Sequence, residues 1–506
     1  MTEKGHLPEK GFPYGSSSGN KEEKQPVSIW VIIPVVATVL GSGIPAGYCL
    51  GVINTPQEII RTWVKATVLA HSEHLLTQTE ELYVWAVIVS TYVIGAVMGC
   101  PLGGFLAHKG GRRMGLFINH LLFLVAAALC TTCKLADSIY MLIFGRFISG
   151  VCAGLSCSLM PMYLSEVAPE ALRGVMAVLL PSAMCLGLLL SQILGLEFIL
   201  GTRECWPYLL GGFGVPVTIA LLLQPLLPIS PAYCYIVLED EGRGKKALHQ
   251  LRGGPSKSVE AEEMALHALM IKNKFCEHGL SLMGMIKNEK YRLPMVIVMI
   301  FNMGQQFSGI NAVFYYSTLI FRSAGLTNKE SQGASIGAAA VNWIVSIIAI
   351  TLIRYTRRRA LLLNSAALCV VAQGILMASL ALIPSVSAAS YISIIAMLSF
   401  VFAYNLGIGP VPFMIATELF SVGPRSIGIS IGSTSNWISN LIVGLTFPLV
   451  QDLIGEYSFI CFMVSSTLLW IFTYKYLPET LGKDDLTTSN TPTSLEDSSS
   501  DTQTDV

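Results

Sequence analysis

Residues 305–317 read QQFSGINAVFYYS, and their setting decides the fold. Gln305, Gln306 and Asn311 sit inside a long apolar run, about 294–320, that ends this stretch in Tyr315 and Tyr316. A carboxamide left unpaired in hydrocarbon costs roughly 2–7 kcal/mol, depending on the reference state. Three of them in one apolar run must therefore face protein, water or a ligand. The run reads as a membrane span, and what its amides face depends on what surrounds it.

Composition carries that reading to the whole chain. Of 506 residues, 53% are hydrophobic and 13% charged, and the mean hydropathy is +0.60. Soluble domains carry roughly 25% charged residues, so this is the composition of a multi-pass membrane protein. The net charge is zero, which removes any bulk electrostatic case for nucleic acid. Most of the twelve cysteines fall in apolar runs and read as small core residues, not as a disulfide frame or a metal site. The polar first 27 residues contain no cleavable signal peptide, so the first apolar segment directs insertion. Metal-ligand clusters, nucleophile triads and phosphate loops are absent, and the chain reads as neither an enzyme nor a cofactor protein.

Windows of about 20 apolar residues give twelve candidate spans. They lie near 28–53, 82–107, 114–133, 139–163, 174–199, 206–228, 294–320, 333–353, 360–383, 391–415, 426–450 and 456–476. An even number puts both termini on one side. With that side taken as cytosolic, 25 of the 32 Lys and Arg residues lie in the termini, the cytosolic loops and the central loop. Six lie opposite and Arg146 is inside a span, the bias that the positive-inside rule requires. The expected division is a cytosolic segment 1–27, a six-helix half 28–228, a helical cytosolic linker 229–292, a second half 293–476 and a disordered tail 477–506. The halves echo each other. PMYLSEVAPEALRG at 161–174 holds Glu166 seven residues before Arg173, and PFMIATELFSVGPRSIG at 412–428 repeats the interval with Glu418 and Arg425. GGRR at 110–113 has a looser partner in RYTRRR at 354–359. Two related halves follow.

Together with GRFISG at 145–150 and YLPETLGK at 476–483, these motifs closely resemble the facilitative sugar transporters of the major facilitator superfamily. The resemblance covers all twelve spans. It implies an all-α membrane protein with twelve transmembrane helices in two pseudo-symmetric six-helix halves, passing hexose, glucose and fructose included, across the plasma membrane by alternating access. It further implies that Gln305, Gln306, Asn311, Asn342 and Trp437 contact the sugar, with Asn405, Asn440 and Phe413 nearby. A carboxamide suits this work, because it both donates to and accepts from hydroxyls without a charge to desolvate. Tyr315 and Tyr316 match the aromatics that shut the outer end, and Gly409, Pro410 and Pro412 match the break in the tenth span. Arg112, Arg113, Glu166, Arg173, Arg358, Arg359, Glu418 and Arg425 match the cytosolic charge clusters that tie helix ends together.

The departures from the family pattern are as informative. The expected fifth-span glutamine is Pro181, which should bend the helix. Phe413 replaces a tryptophan, Asn405 a glutamate, and Asn302-Met303-Gly304 stands where glucose-selective members carry Gln-Leu-Ser. PISPA at 228–232 lacks two charges at Ile229 and Ala232, which leaves fewer partners for the charge cluster of the first half. Arg357 replaces a glycine. Proton-coupled relatives place an Asp where Cys49 follows Gly-Tyr, and a thiol with a pKa near 8.5 is a poor proton carrier, so uniport is expected. The alternative is a non-transporting sugar sensor or orphan subunit. The tail ends QTDV, and Thr504 and Val506 fit the carboxyl-terminal pattern that PDZ domains capture by strand addition.

Overall fold

The computed structural model describes residues 28–72, 77–169, 172–276, 282–315, 327–383, 385–386, 388–420 and 424–477. The expected roles of 1–27, Tyr316, and the tail with Thr504 and Val506 lie outside them. Eleven helical stretches are long and apolar enough to cross a membrane. The last, Arg425–Tyr476, runs 52 residues, about 78 Å at 1.5 Å per residue against a hydrocarbon core of about 30 Å. It is two helices, separated by a short 3₁₀ turn that begins at Gly455, where φ is +56°.

Twelve spanning helices result, as expected from sequence. They are α1 (Ile29–Gly51), α2 (Gln78–Lys109), α3 (Arg112–Thr132), α4 (Ile139–Val167), α5 (Arg173–Leu194) and α6 (Trp206–Leu226) in the first half. The second half holds α7 (Glu289–Phe314), α8 (Asn328–Tyr355), α9 (Arg358–Leu382), α10 (Ala389–Leu419), α11 (Arg425–Ile454) and α12 (Phe459–Tyr476). Side-chain caps fix several starts. Thr77 and Thr327 each form a capping box with the glutamate three residues on, Glu80 and Glu330, while Ser28, Ser138 and Asn288 accept from the first turn.

Within the first half α2 and α4 approach backbone to backbone. A Cβ on Gly99 would stand 2.1 Å from Val151 O, and one on Gly150 of the GRFISG motif 2.0 Å from Tyr92 O, so neither position admits a side chain.

Between the halves, residues 229–292 form helices Pro231–Ile236, Glu241–Arg252, Lys257–Cys276 and Leu282–Lys287. Ala232, Tyr235, Ile236, Leu248, Val259 and Leu266 give this segment a small apolar core of its own. Arg252 joins it to α4. Its Nε and Nη2 donate to Glu262, and its Nη1 and Nη2 take the carbonyls of Val167 and Ala168, two of the acceptors a helix end leaves open. On the opposite face, helix Gln57–Ser72 follows α1 and was not anticipated, since it is amphipathic rather than apolar. Its Arg61 and Lys65 both reach Glu81 at 2.6 Å.

Candidate functional site

Among the described residues five spanning helices are interrupted, α6 at Gly212 and Phe213 and four more that bear on the site. α7 stops at Phe307 and resumes at Ile310, across Gly309 with φ +85°. A side chain there would strain the backbone and run into the Phe462 ring at 2.6 Å. Carbonyls freed at the break are taken by Gln373, which donates to Ser308 O at 2.6 Å, and by Ser465, which donates to Phe307 O. α10 stops at Leu406 and resumes at Val411, where Gly407, Gly409, Pro410 and Pro412 concentrate. α5 breaks at Val178, three residues before Pro181, in line with the expected bend. α1 widens into a π-helical turn at Val39–Gly43. Broken helices expose backbone groups at membrane depth only where they line a cavity.

Such a cavity lies between the halves, away from the ends of the helices. Its free volume is about 110 Å³, room for several water molecules, so the lining is drawn close around it. Of the residues singled out in the sequence, Gln305, Gln306, Asn311, Asn342, Asn405, Gly409, Pro410, Phe413, Trp437 and Asn440 all line it. Pro412 is buried in the first turn after the α10 break and is not a lining residue. Tyr315 is the last residue of helix Ile310–Tyr315.

The carboxamides are wired to one another. Asn311 Nδ2 donates to Gln306 Oε1 at 2.5 Å, and Gln306 Nε2 donates to Asn436 Oδ1 at 3.0 Å. Asn436 Nδ2 in turn donates to Gln305 Oε1 and to Asn302 O, and Gln305 Nε2 donates to Gly409 O at 2.6 Å, the carbonyl freed by the α10 break. Across the cavity Asn405 Nδ2 donates to Asn342 Oδ1 at 2.5 Å and to Val401 O at 2.9 Å. The chain of bonds fixes which end of each amide is nitrogen. It leaves the second hydrogens of Gln305 and Gln306 and the carbonyls of Asn311 and Asn405 without a partner in these bonds. Asn436, at the centre of the network, was missed by the sequence reading. Its signal was its position beside Trp437 and one helical turn before Asn440, which puts it on the cavity face of α11.

On the linker side the charged residues close the helix ends. Arg112 Nη2 donates to Glu166 Oε1 at 2.7 Å with both side chains buried, and Ser230 Oγ donates to Glu166 Oε2 at 2.6 Å. Glu166 therefore keeps two partners although the first half lacks those two charges. The serine retained in PISPA and the Tyr233 ring, 4.8 Å from the Arg112 guanidinium, stand in for the missing charges. Burial pushes the Tyr233 phenol above its ordinary pKa, so the ring faces Arg112 as a neutral π surface.

Arg358 faces Glu418 at 3.4 Å. Three expected cluster members do otherwise. Arg173 pairs with Glu262 of the linker at 3.5 Å, because the α5 start lies against the linker helices. Arg113 and Arg359 donate to the carbonyls of Pro225 and Tyr474, capping α6 and α12, and neither meets a carboxylate among the described residues. Arg425 Nε donates to Phe420 O at 3.2 Å.

The halves also touch on this side. Ser430 Oγ donates to Cys100 O at 2.8 Å, and a Cβ on Gly174 would stand 3.3 Å from Met414 Sδ and 3.4 Å from Arg358 Nη2. Higher up, Tyr92 meets Trp437 edge to face at 5.8 Å.

The profile of the sugar (and other) transporter family matches residues 35–486. The chain belongs to that family. It is 35% identical over 463 residues to the horse solute carrier family 2, facilitated glucose transporter member 5, covering 92% of each chain. It is 37% identical over 479 residues to the mouse facilitated glucose transporter member 4, covering 94% of this chain and 92% of that one. In fold this sugar transporter is similar to the major facilitator proton:xylose symporter XylE bound to 6-bromo-6-deoxy-D-glucose, with a TM-score of 0.78 at 22% identity over 91% of this chain and 98% of that chain. The transporter is thus an all-helical, multi-pass membrane protein, and the family is one of carriers and not of enzymes.

In this family member one buried cation calls for a separate account. Arg146 of α4 is 3% exposed; its Nη1 donates to Cys49 O at 2.5 Å and its guanidinium lies 4.6 Å from the Tyr92 ring. Among the described residues no carboxylate pairs with it. A carbonyl and a π face hold the charge.

Proposed function

We propose that this transporter is a passive hexose uniporter, taking glucose and fructose, that works by alternating access in the plasma membrane. The carrying observation is the cavity between the halves, where six carboxamides line the space, hold each other in place and keep donors and acceptors unspent in those bonds. A hexose is a ring of hydroxyls that donate and accept, and such a lining matches it without a charge to desolvate. The sugar contacts are Gln305, Gln306, Asn311, Asn342, Asn405, Phe413, Trp437 and Asn440. Tyr315, Tyr316 and the α10 break at Gly409–Pro410 form the gates. Uniport is supported by Cys49, which offers Arg146 a backbone carbonyl in place of an ionisable carboxylate. The linker and both termini are cytosolic, and the tail from Thr504 to Val506 meets a PDZ domain.

The test is flux of radiolabelled hexose into proteoliposomes. The expected result is equilibration down the sugar gradient, saturable and unchanged by an imposed inward proton gradient. Uphill accumulation driven by protons would overturn uniport. No flux for any hexose would favour the sensor reading instead.

A further inference from the structure

Pro181 removes a carboxamide and a backbone donor from α5 at once, and the residues around it make a different polar group. The ring lacks an N–H and crowds the carbonyl of Ala177, so the helix breaks at Val178, where ψ is 1°. Ser182, the next residue, lines the cavity, and its Oγ stands 3.0 Å from Ser346 Oγ on α8. These side chains are 7% and 6% exposed. α5 belongs to the first half and α8 to the second, so the bond spans the seam on which alternating access depends.

Either oxygen can donate, and the hydrogen inventory favours one direction. A hydroxyl has one hydrogen, and Ser346 Oγ donates its own to Trp343 O at 2.7 Å. Ser182 then donates to Ser346. With both hydrogens committed, the pair presents only lone pairs to the cavity. A carboxamide at 181 would offer donors and an acceptor alike.

We propose that Ser182 and Ser346 form a specificity-determining acceptor site: they take one sugar hydroxyl that must donate, and they bind it across the two halves at once. This rests on the hexose-carrier reading.

The experiment measures competition by deoxy and deoxyfluoro analogues of the transported hexose, position by position around the ring, in proteoliposomes. Fluorine keeps the size of a hydroxyl and a weak acceptor but has no hydrogen to give. At the position that meets the serine pair, both analogues are expected to bind roughly 2- to 10-fold more weakly than the parent sugar. In the double variant Ser182→Ala with Ser346→Ala, that penalty should shrink toward none while the penalties at other positions persist. Exchange of the parent sugar shows that the variant is folded. If it is not, Ser182→Cys with Ser346→Cys, whose thiols are much poorer acceptors, gives the same reading. An unchanged penalty profile in a variant that still exchanges the parent sugar overturns the proposal and leaves the carrier reading standing. A wild-type chain that carries no hexose overturns both.

Discussion

In the first half, Arg112 Nη1 donates to Ala107 O at 2.9 Å and Nη2 to Glu166 at 2.7 Å. In the second, the equivalent Arg358 Nη1 donates to Ile353 O at 2.5 Å and Nη2 faces Glu418 at 3.4 Å. The next residues repeat the likeness, with Arg113 on Pro225 O and Arg359 on Tyr474 O. One architecture has been written twice. Its surroundings differ, however. The Glu166 side chain is 1% exposed and completed by Ser230 at the start of the linker, just after α6, whereas that of Glu418 is 21% exposed and lies where Gly174 of the other half comes against it. A pair enclosed by its own half keeps its environment when the halves move. A pair at the seam does not. The first charged group is therefore a fixture of one half, and the second is placed to sense the separation of the two.

The largest test of this contrast is loss of one partner from each pair. Glu166→Leu leaves Arg112 buried without its counter-charge and should cost about 3–5 kcal/mol of stability. Glu418→Leu removes a partly exposed carboxylate that reaches the buried Arg358 only at 3.4 Å, and should cost less, about 1–3 kcal/mol. Thermal unfolding of the purified proteins would measure both, and equal losses would break the comparison. A middle-sized effect is expected from Ser230→Ala, which takes one hydrogen bond from a buried carboxylate, at about 1.5–3 kcal/mol. A melting curve like that of the wild type would mean that Ser230 does not complete the site.

The functional side of the contrast is sharper though smaller. Glu418→Gln keeps the shape of the pair but weakens the contact at the seam, so cysteines placed at the linker-side mouth should label about two- to fivefold faster, a shift of ~0.4–1 kcal/mol. Glu166→Gln should leave that labelling unaltered; the same acceleration in both variants would deny the seam any special role. The smallest effect is expected at Gly104 of α2, where an added Cβ would stand 3.1 Å from Ser430 on α11. Gly104→Ala should push the halves apart on the linker side and raise the same labelling by about twofold or less, a few tenths of a kcal/mol. Slower labelling would mean that the contact is not one that opens.

Much of this site was legible in the residues alone. Carboxamides in an apolar run, Gly-Pro breaks and arginines at helix ends are local anomalies, and each marks a group that lipid does not satisfy. What could not be read was who satisfies it. The charge cluster of the first half seemed to have fewer partners because PISPA lacks two charges, yet Ser230 and Tyr233, both in or next to that motif, supply a hydroxyl and a ring instead. Arg173 looked like a partner for the cluster at the mouth, and the linker's Glu262 takes it. Helix Gln57–Ser72 escaped because an amphipathic turn of chain at the surface lacks the long apolar run by which a span is recognised.

The division has a physical basis. In hydrocarbon a segment must satisfy its own backbone, so apolar length alone dictates a helix, and the number of spans and the pairing of halves follow from the sequence by itself. Hydrogen bonds between side chains of different helices obey no such local rule. Gln306 meets Asn436 across 130 residues, and Ser182 meets Ser346 across 164. Each depends on how far two helices are rotated and how deep each sits in the bundle. Those quantities are set by backbone approach at residues such as Gly99 and Gly150 and by breaks at Val178, Gly309 and Gly407. Only the packed tertiary structure decided them, because packing is a property of all twelve helices together.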